Sequence, residues 1–157
     1  MKAQIWSLDF ALSLLIFMSA LFAMALAWNF ISASTLQNQE LKELHMKAMT
    51  LSDALIRTSG IPQDWNATNV QIIGLAQDEN VLNATKVDYF TTMDYDRARA
   101  LMDIGQYNFY FEVLDLNNTV QKNTTVPISD ESVVVVPVER YAIYNDIIVK
   151  VKFVIWS

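Results

Sequence analysis

The chain has no cysteine. Disulfides, zinc–thiolate sites and a cysteine nucleophile are therefore excluded. It has one histidine, His45, and a zinc site without a second histidine or any thiol would have to be built from carboxylates alone. His45 lies among charged residues and reads as a solvated position on a helix. Glycine is scarce, with three in 157 residues, which argues against backbone loops that approach phosphate closely. Neither G-x-S-x-G nor H-E-x-x-H occurs. Cations are outnumbered: Lys and Arg total 11 against 17 Asp and Glu, a formal net charge of −6. Every acid except Asp9 lies beyond Thr35, so the body of the chain is acidic. That makes nucleic acid and anionic lipid poor partners. Asp78, Glu79, Asp94, Asp96 and Asp103 are oxygen ligands by type, but they follow no D-x-[DN]-x-[DN]-G spacing and read as caps and solvated faces. No catalytic residue, metal or cofactor is expected, and the chain is not expected to be an enzyme.

What is present is an apolar run, Phe10 to Ile31, with no charged side chain. About 20 apolar residues at 1.5 Å rise span a bilayer core. Asp9 stands at its edge, where a carboxylate is expensive unless it has a partner or reaches solvent. The run is longer than the roughly 7–15 residues of a secretory signal peptide. A small-residue flank around Ala33 leaves cleavage there open as an alternative. Lys2 lies on one side of the run and Lys42 and Lys47 on the other, so charge asymmetry orients it weakly. If the first forty residues are membrane and stalk, about 110 remain, enough for one small core.

Four N-x-Thr tripeptides bear on orientation: Asn66-Ala67-Thr68, Asn83-Ala84-Thr85, Asn117-Asn118-Thr119 and Asn123-Thr124-Thr125. As glycosylation acceptors they mark surface loops of an exported domain. The competing reading is that they are ordinary turn residues of an Asn-rich chain.

Beyond the run the helical pattern continues. Leu41, Leu44, Ala48, Leu51 and Leu55 recur at spacings of three and four, an amphipathic stripe. Gly60 and Pro62 then stop it. One helix from about Ile5 to Ser59 would be about 80 Å long if unbroken, with Asn29 and Ser32 to Thr35 as soft points. The head begins with a loop carrying Trp65, expected to pack on the helix. Val70 to Ala76 reads as a strand. Asn83 is placed to cap a helix over Ala84 to Thr92, and Asp94 one over Tyr95 to Asp103 that ends near Gly105. Tyr107 to Leu116 reads as a strand. Asn117 to Asp130 is a polar loop. Ser132 to Tyr144 is a strand with Pro137 marking an edge or bulge. Tyr144-Asn145-Asp146 forms a turn. In the last strand, Ile147 to Trp156, Val149, Val151, Phe153 and Ile155 face the core, with Lys150, Lys152 and Trp156 opposite. Trp65, Trp156, Tyr107, Phe109 and Tyr110 read as core or subunit packing. The fold class is α+β: a long N-terminal helix, half transmembrane and half amphipathic, on a small antiparallel sheet.

These residues resemble an archaeal type IV pilin-like protein with a class III signal peptide. In that family a short basic leader meets a Gln-led segment with an acid just inside the apolar helix, commonly Q-x-S-x-E-F. Here the residues are Gln4-Ile5-Trp6-Ser7-Leu8-Asp9-Phe10. The acid is Asp, and one extra residue separates it from Gln4. The segments Gly60 to Trp65, Ile73 to Ala76 and Leu82 to Lys86 are also similar to archaeal pilin-like heads. The resemblance implies residues 1–4 as leader, cleaved after Ala3 or Gln4, residues 5–34 as transmembrane and assembly helix, and residues 35–157 as extracellular head. It implies homologous pilin subunits, a prepilin peptidase, the filament assembly machinery and the membrane as partners. Asp9 would meet the freed amine of a neighbouring subunit; the bland alternative is an interfacial acid reaching solvent. Small residues such as Ser13, Ser19, Ala20, Ala23, Ala25 and Ala27 would allow close helix approach. The expected location is the cell membrane, single-pass with the head outside, or an extracellular filament once assembled. The alternative is an unprocessed, membrane-anchored binding or adhesion protein that never polymerises.

Overall fold

A computed structural model describes residues 2–128 and 134–157, with the side chains of 2–7, 32–38 and 40 left outside the description. The element order is α1 (Lys2–Arg57), β1 (Ala76–Asp78), β2 (Val81–Leu82), α2 (Ala84–Thr92), α3 (Tyr95–Leu101), β3 (Asn108–Leu114), β4 (Val120–Asn123), β5 (Val135–Tyr144) and β6 (Ile147–Trp156). The helix assignment of α1 passes through Asn29 and Ser32 to Thr35 without a break. The chain divides within α1 into two units, Met1–Leu41 and Lys42–Ser157. The second unit is a six-stranded sheet in the order β1-β2-β5-β6-β3-β4. All pairings are antiparallel except β2 with β5. The amphipathic part of α1 packs on this curled sheet through one continuous hydrophobic core. The expected α+β fold class is therefore present.

The end of α1 organises the head. A helix leaves its last carbonyls without internal donors. Here Leu75 N–H donates to Leu55 O at 2.8 Å, Asn80 N–H to Ile56 O at 3.1 Å and Ala76 N–H to Thr58 O at 3.0 Å. Most of Val70 to Ala76 is consequently not the expected strand; only Ala76 joins the sheet, in β1. The apolar side chains Val70, Ile73 and Leu75 are still buried, but Gln71 and Ile72 N–H donate to Ile61 O and Leu75 N–H serves the helix end. Gly60 turns the chain at φ +79°, and a Cβ on Gly74 would overlap Thr58 O and Gly60 N. Trp65 is in the core as expected, its Nε1 donating to Gly74 O at 2.8 Å.

Lys86 completes this cap. Its ammonium is buried and donates to Ser59 O at 2.7 Å and Ala76 O at 3.4 Å. Desolvation holds its pKa below the ordinary 10.5, and Asp64 partly offsets that. The folded state therefore releases this proton before the unfolded chain does. Between the lowered pKa and 10.5 the unfolded state binds more protons, so this group adds stability as pH rises. Tyr95 and Tyr110, both raised chiefly by burial, act oppositely as pH climbs above 10.0. Lys86→Met is expected to steepen the alkaline loss of stability relative to the parent chain. Melting temperatures of both between pH 7 and 11 measure this; parallel curves would contradict a desolvated ammonium.

The stripe on α1 is shifted from the expected one. Leu44, Ala48 and Leu55 are fully buried, but Leu41 is exposed and Leu51 only half-buried. Ser52 and Ile56 fill the inward face instead. Ser52 tolerates this because its hydroxyl donates to Met49 O at 2.9 Å. Asn83 and Asp94 cap α2 and α3 as expected, accepting from Lys86 N–H at 3.2 Å and Arg97 N–H at 2.9 Å. α3 stops two residues early because Asp103 takes φ +51°.

The polar loop after β3 contains an unexpected short strand, β4, paired with Glu112, Val113 and Leu114. In the turn between them, Asp115 Oδ1 accepts from Asn117 N–H and Thr119 N–H, both at 2.8 Å. Asn145 and Asp146 both have positive φ, 50° and 64°, the geometry of a two-residue type I′ hairpin. β6 spans the expected residues, and Val149, Val151, Phe153 and Ile155 are buried. Trp156 is also buried, as is Val154, so the second face is covered at that end of the sheet. The expected start of β5 at Ser132 falls outside the described residues. Pro137 pairs with Val154 of β6, while β2 reaches β5 only at Ile143. Among the described residues Pro137 thus lies on a locally open edge, where a missing N–H costs nothing.

Beyond β4 the edge of β3 is closed by side chains rather than by a strand. Tyr95 OH accepts from Phe109 N–H at 2.8 Å and donates to Phe109 O at 3.0 Å. Thr124 Oγ1 accepts from Phe111 N–H at 3.0 Å, and Arg99 Nε donates to Tyr107 O at 2.9 Å. An unpaired strand edge invites association with another chain, and these three side chains remove it. The Tyr95 ring also stacks on Phe109, with centroids 4.9 Å apart. Tyr95→Phe keeps that stacking and orphans both backbone groups. The expected loss is about 1–3 kcal/mol, read as a lowered denaturation midpoint; an unchanged midpoint would show that water replaces the hydroxyl.

Candidate functional site

Two regions carry functional interest, one in each unit. The first is the apolar part of α1. Leu8–Ile31 is 24 residues long, and none of it is buried. By length and composition it is able to cross a membrane. It begins two residues earlier than the charge-free run, so Asp9 lies just inside it rather than at its edge. Asp9 is exposed and makes no ion pair with any described side chain. Ser13, Ser19, Ala20, Ala23, Ala25 and Ala27 are exposed too, and Ser19 Oγ donates to Ile16 O at 2.7 Å. Ala3 and Gln4 belong to α1 by backbone; their side chains lie outside the described residues.

The second region is the set of sequons on the head. Asn117 and Asn123 are exposed, while Asn66 and Asn83 are half-buried. Asn66 Oδ1 accepts from Thr68 N–H at 2.8 Å, Thr68 Oγ1 at 2.6 Å and Asn69 N–H at 3.2 Å. Asn83 Oδ1 is engaged as the α2 cap. Asn123 sits in β4, not in a loop, and its Nδ2 donates to Tyr110 OH at 3.3 Å. The following Thr124 is buried and locked to Phe111. Only Asn117 stands in an exposed turn free of such engagement of its side chain among the described contacts.

His45 is exposed on α1, as expected of a solvated position. Among the described residues no group of three or more His, Asp or Glu is arranged to hold a metal. Two open grooves flank α1 in the head, one of about 590 Å³ lined by Met49, Asp53, Arg57 and Arg140. Arg57 is occupied there by Asp53 at 3.2 Å and Glu79 at 3.8 Å.

Sequence reasoning missed one feature. Tyr141, Ile143 and Ile148 are exposed on the face of the sheet turned away from α1 and line a shallow cavity with Glu79 and Asn80. The alternation of β5 shows that Tyr141 and Ile143 share a face, but apolar residues on both faces hide which one is covered.

The helix-plus-curled-sheet arrangement is that of pilin-like folds in general. No protein-family model, curated protein or solved structure matches the chain.

Proposed function

We propose that the chain is a pilin-like subunit of an archaeal type IV filament or related surface assembly, polymerising through its N-terminal apolar helix. The role is structural rather than catalytic. One observation carries this reading: a 24-residue apolar helical segment with nothing buried, a carboxylate at its second position, and a folded head after it. An anchor needs no acid there. In an apolar medium a carboxylate is retained where it has a partner. Removal of the leader by a prepilin peptidase would free an α-amine, and Asp9 of the adjacent subunit would pair with it. The apolar helices, withdrawn from lipid, would then bury one another through their small residues. The head would face outward and carry glycans at its sequons.

The test is the mature N-terminus of the native surface protein by mass spectrometry. Loss of residues 1–3 or 1–4 is expected. An intact Met1-Lys2 would overturn the proposal in favour of a single-pass binding protein that is never processed.

A further inference from the structure

The sheet has a row of neighbours running across three strands on the face away from α1: Leu114, Lys150 and Tyr141 in β3, β6 and β5. Beside it, Ile148 pairs with Ile143, and Val120 of β4 lies next to Leu114. Tyr141, Ile148 and Leu116 are 63 %, 57 % and 65 % exposed, and Ile143 and Val120 are exposed as well. An exposed apolar strip rimmed by polar groups marks a contact surface. The rim here is specific. Lys150 Nζ donates to Asn118 Oδ1 at 3.0 Å and lies 3.9 Å from Glu139 Oε2. Glu79 and Asn80 border a hollow of about 270 Å³ beside Tyr141 and Ile148.

We propose that this strip is the resting place of an oligosaccharide carried on Asn117, with the Tyr141 ring as its stacking platform and Lys150, Asn118 and Glu79 as its hydrogen-bonding groups. This rests on the reading of the sequons as used acceptors. Three features favour a glycan over a protein partner. First, the acceptor turn is joined to the strip by the Lys150–Asn118 hydrogen bond, and Asp115 fixes the turn through two N–H groups. A sugar attached there is held near the strip at high effective concentration. Second, Asn123 Nδ2 donates to Tyr110 OH beside Glu112 on the same sheet face, so polar groups interrupt the apolar strip and suit a hydroxyl-rich ligand better than a flat protein surface. Third, the surface mixes one accessible aromatic ring with separated donors and acceptors, the composition that binds a sugar's apolar face and its hydroxyls together.

The experiment is hydroxyl-radical footprinting of the full-length protein from a glycosylating host, read residue by residue by mass spectrometry, alongside glycopeptide mapping. Asn117→Gln is expected to raise the oxidation rates of Tyr141 and Ile148 several-fold. Thr119→Ala removes the acceptor motif, leaves Asn117 and the backbone bond to Asp115 in place, and should give the same rise. Met46 on α1 is the internal reference and should not change, and Asn66→Gln should leave Tyr141 unaffected. A glycan mapped to Asn117 with unchanged rates at Tyr141 and Ile148 overturns the proposal and leaves the sequon reading intact. An unmodified Asn117 overturns both. Protection of Tyr141 that persists without the sequon in filaments, and vanishes in dispersed subunits, assigns the strip to a second copy instead.

Discussion

Asp9→Ala is expected to leave membrane insertion and leader removal intact and to abolish incorporation into filaments, while Asp9→Glu is tolerated. On the proposed reading the peptidase and the bilayer would act before assembly and would need only the leader and the apolar segment. Assembly needs more. If the segment Leu8–Ile31 leaves lipid for the company of other helices, as proposed, a freed α-amine and a carboxylate would face an apolar surrounding. Two unpaired charges there are costly, and deleting one partner of a buried pair costs about 3–5 kcal/mol. That is about two to four powers of ten in each subunit contact. In the proposed filament the loss would repeat at every subunit, so elongation would stop. Glutamate keeps the charge and adds one methylene, which a side chain at a helix surface absorbs by a change of rotamer. Comparing sheared filaments with the membrane fraction for the three proteins measures this. Alanine-variant filaments at parental yield would reduce Asp9 to an interfacial acid reaching solvent.

Much of the fold is legible in the residues where one local force decides. Asn83 and Asp94 cap their helices because a short acceptor before a helical stretch has few competitors for the first N–H groups. β6 reads cleanly because its alternation coincides with a buried face. Local reading fails where a partner distant in sequence decides. Val70 to Leu75 looks like a strand, yet Gln71 and Ile72 donate to Ile61 O and only Leu75 reaches a carbonyl at the end of α1. β4 looks like loop because an edge strand facing solvent needs no apolar alternation. Tyr95, Arg99 and Thr124 carry no mark of their role as substitutes for a strand. That role exists only once the turn after α3 has brought Tyr95 and Arg99, and the β3–β4 hairpin Thr124, beside β3.

The candidate sites divide the same way. The apolar segment is visible from composition alone, since nothing but hydropathy and length defines it. The four sequons are visible as motifs, but their standing is not. The structure separates a turn residue, Asn117, from a helix cap, Asn83, and a strand residue, Asn123. The exposed strip around Tyr141 is invisible in one dimension, because it is assembled from β4, β5 and β6 around the buried Leu114 of β3 in a register that only the hairpins set.

The packing of α1 supplies the second large effect. Leu44→Ala is expected to cost about 2–5 kcal/mol, and Leu51→Ala only about 1 kcal/mol. The two leucines differ by seven residues, two turns of helix, so a simple heptad stripe would make them equivalent. They are not, because 3.6 residues per turn carries a heptad repeat round the helix by about 20°. Leu44 is fully enclosed by the core. Leu51 is half out, in a groove it shares with Met46, Lys47 and Met102, and Ser52 has turned inward beside it. Truncating Leu44 leaves a void that the sheet cannot collapse into, whereas truncating Leu51 opens a surface that water already reaches. A head of this size has only about 5–15 kcal/mol of total stability, so the first change removes a large share of it. Thermal unfolding of the full chain in detergent, followed by near-ultraviolet circular dichroism, compares the two. Equal losses would mean that the helix is rotated from the position that buries Ser52 and Ile56.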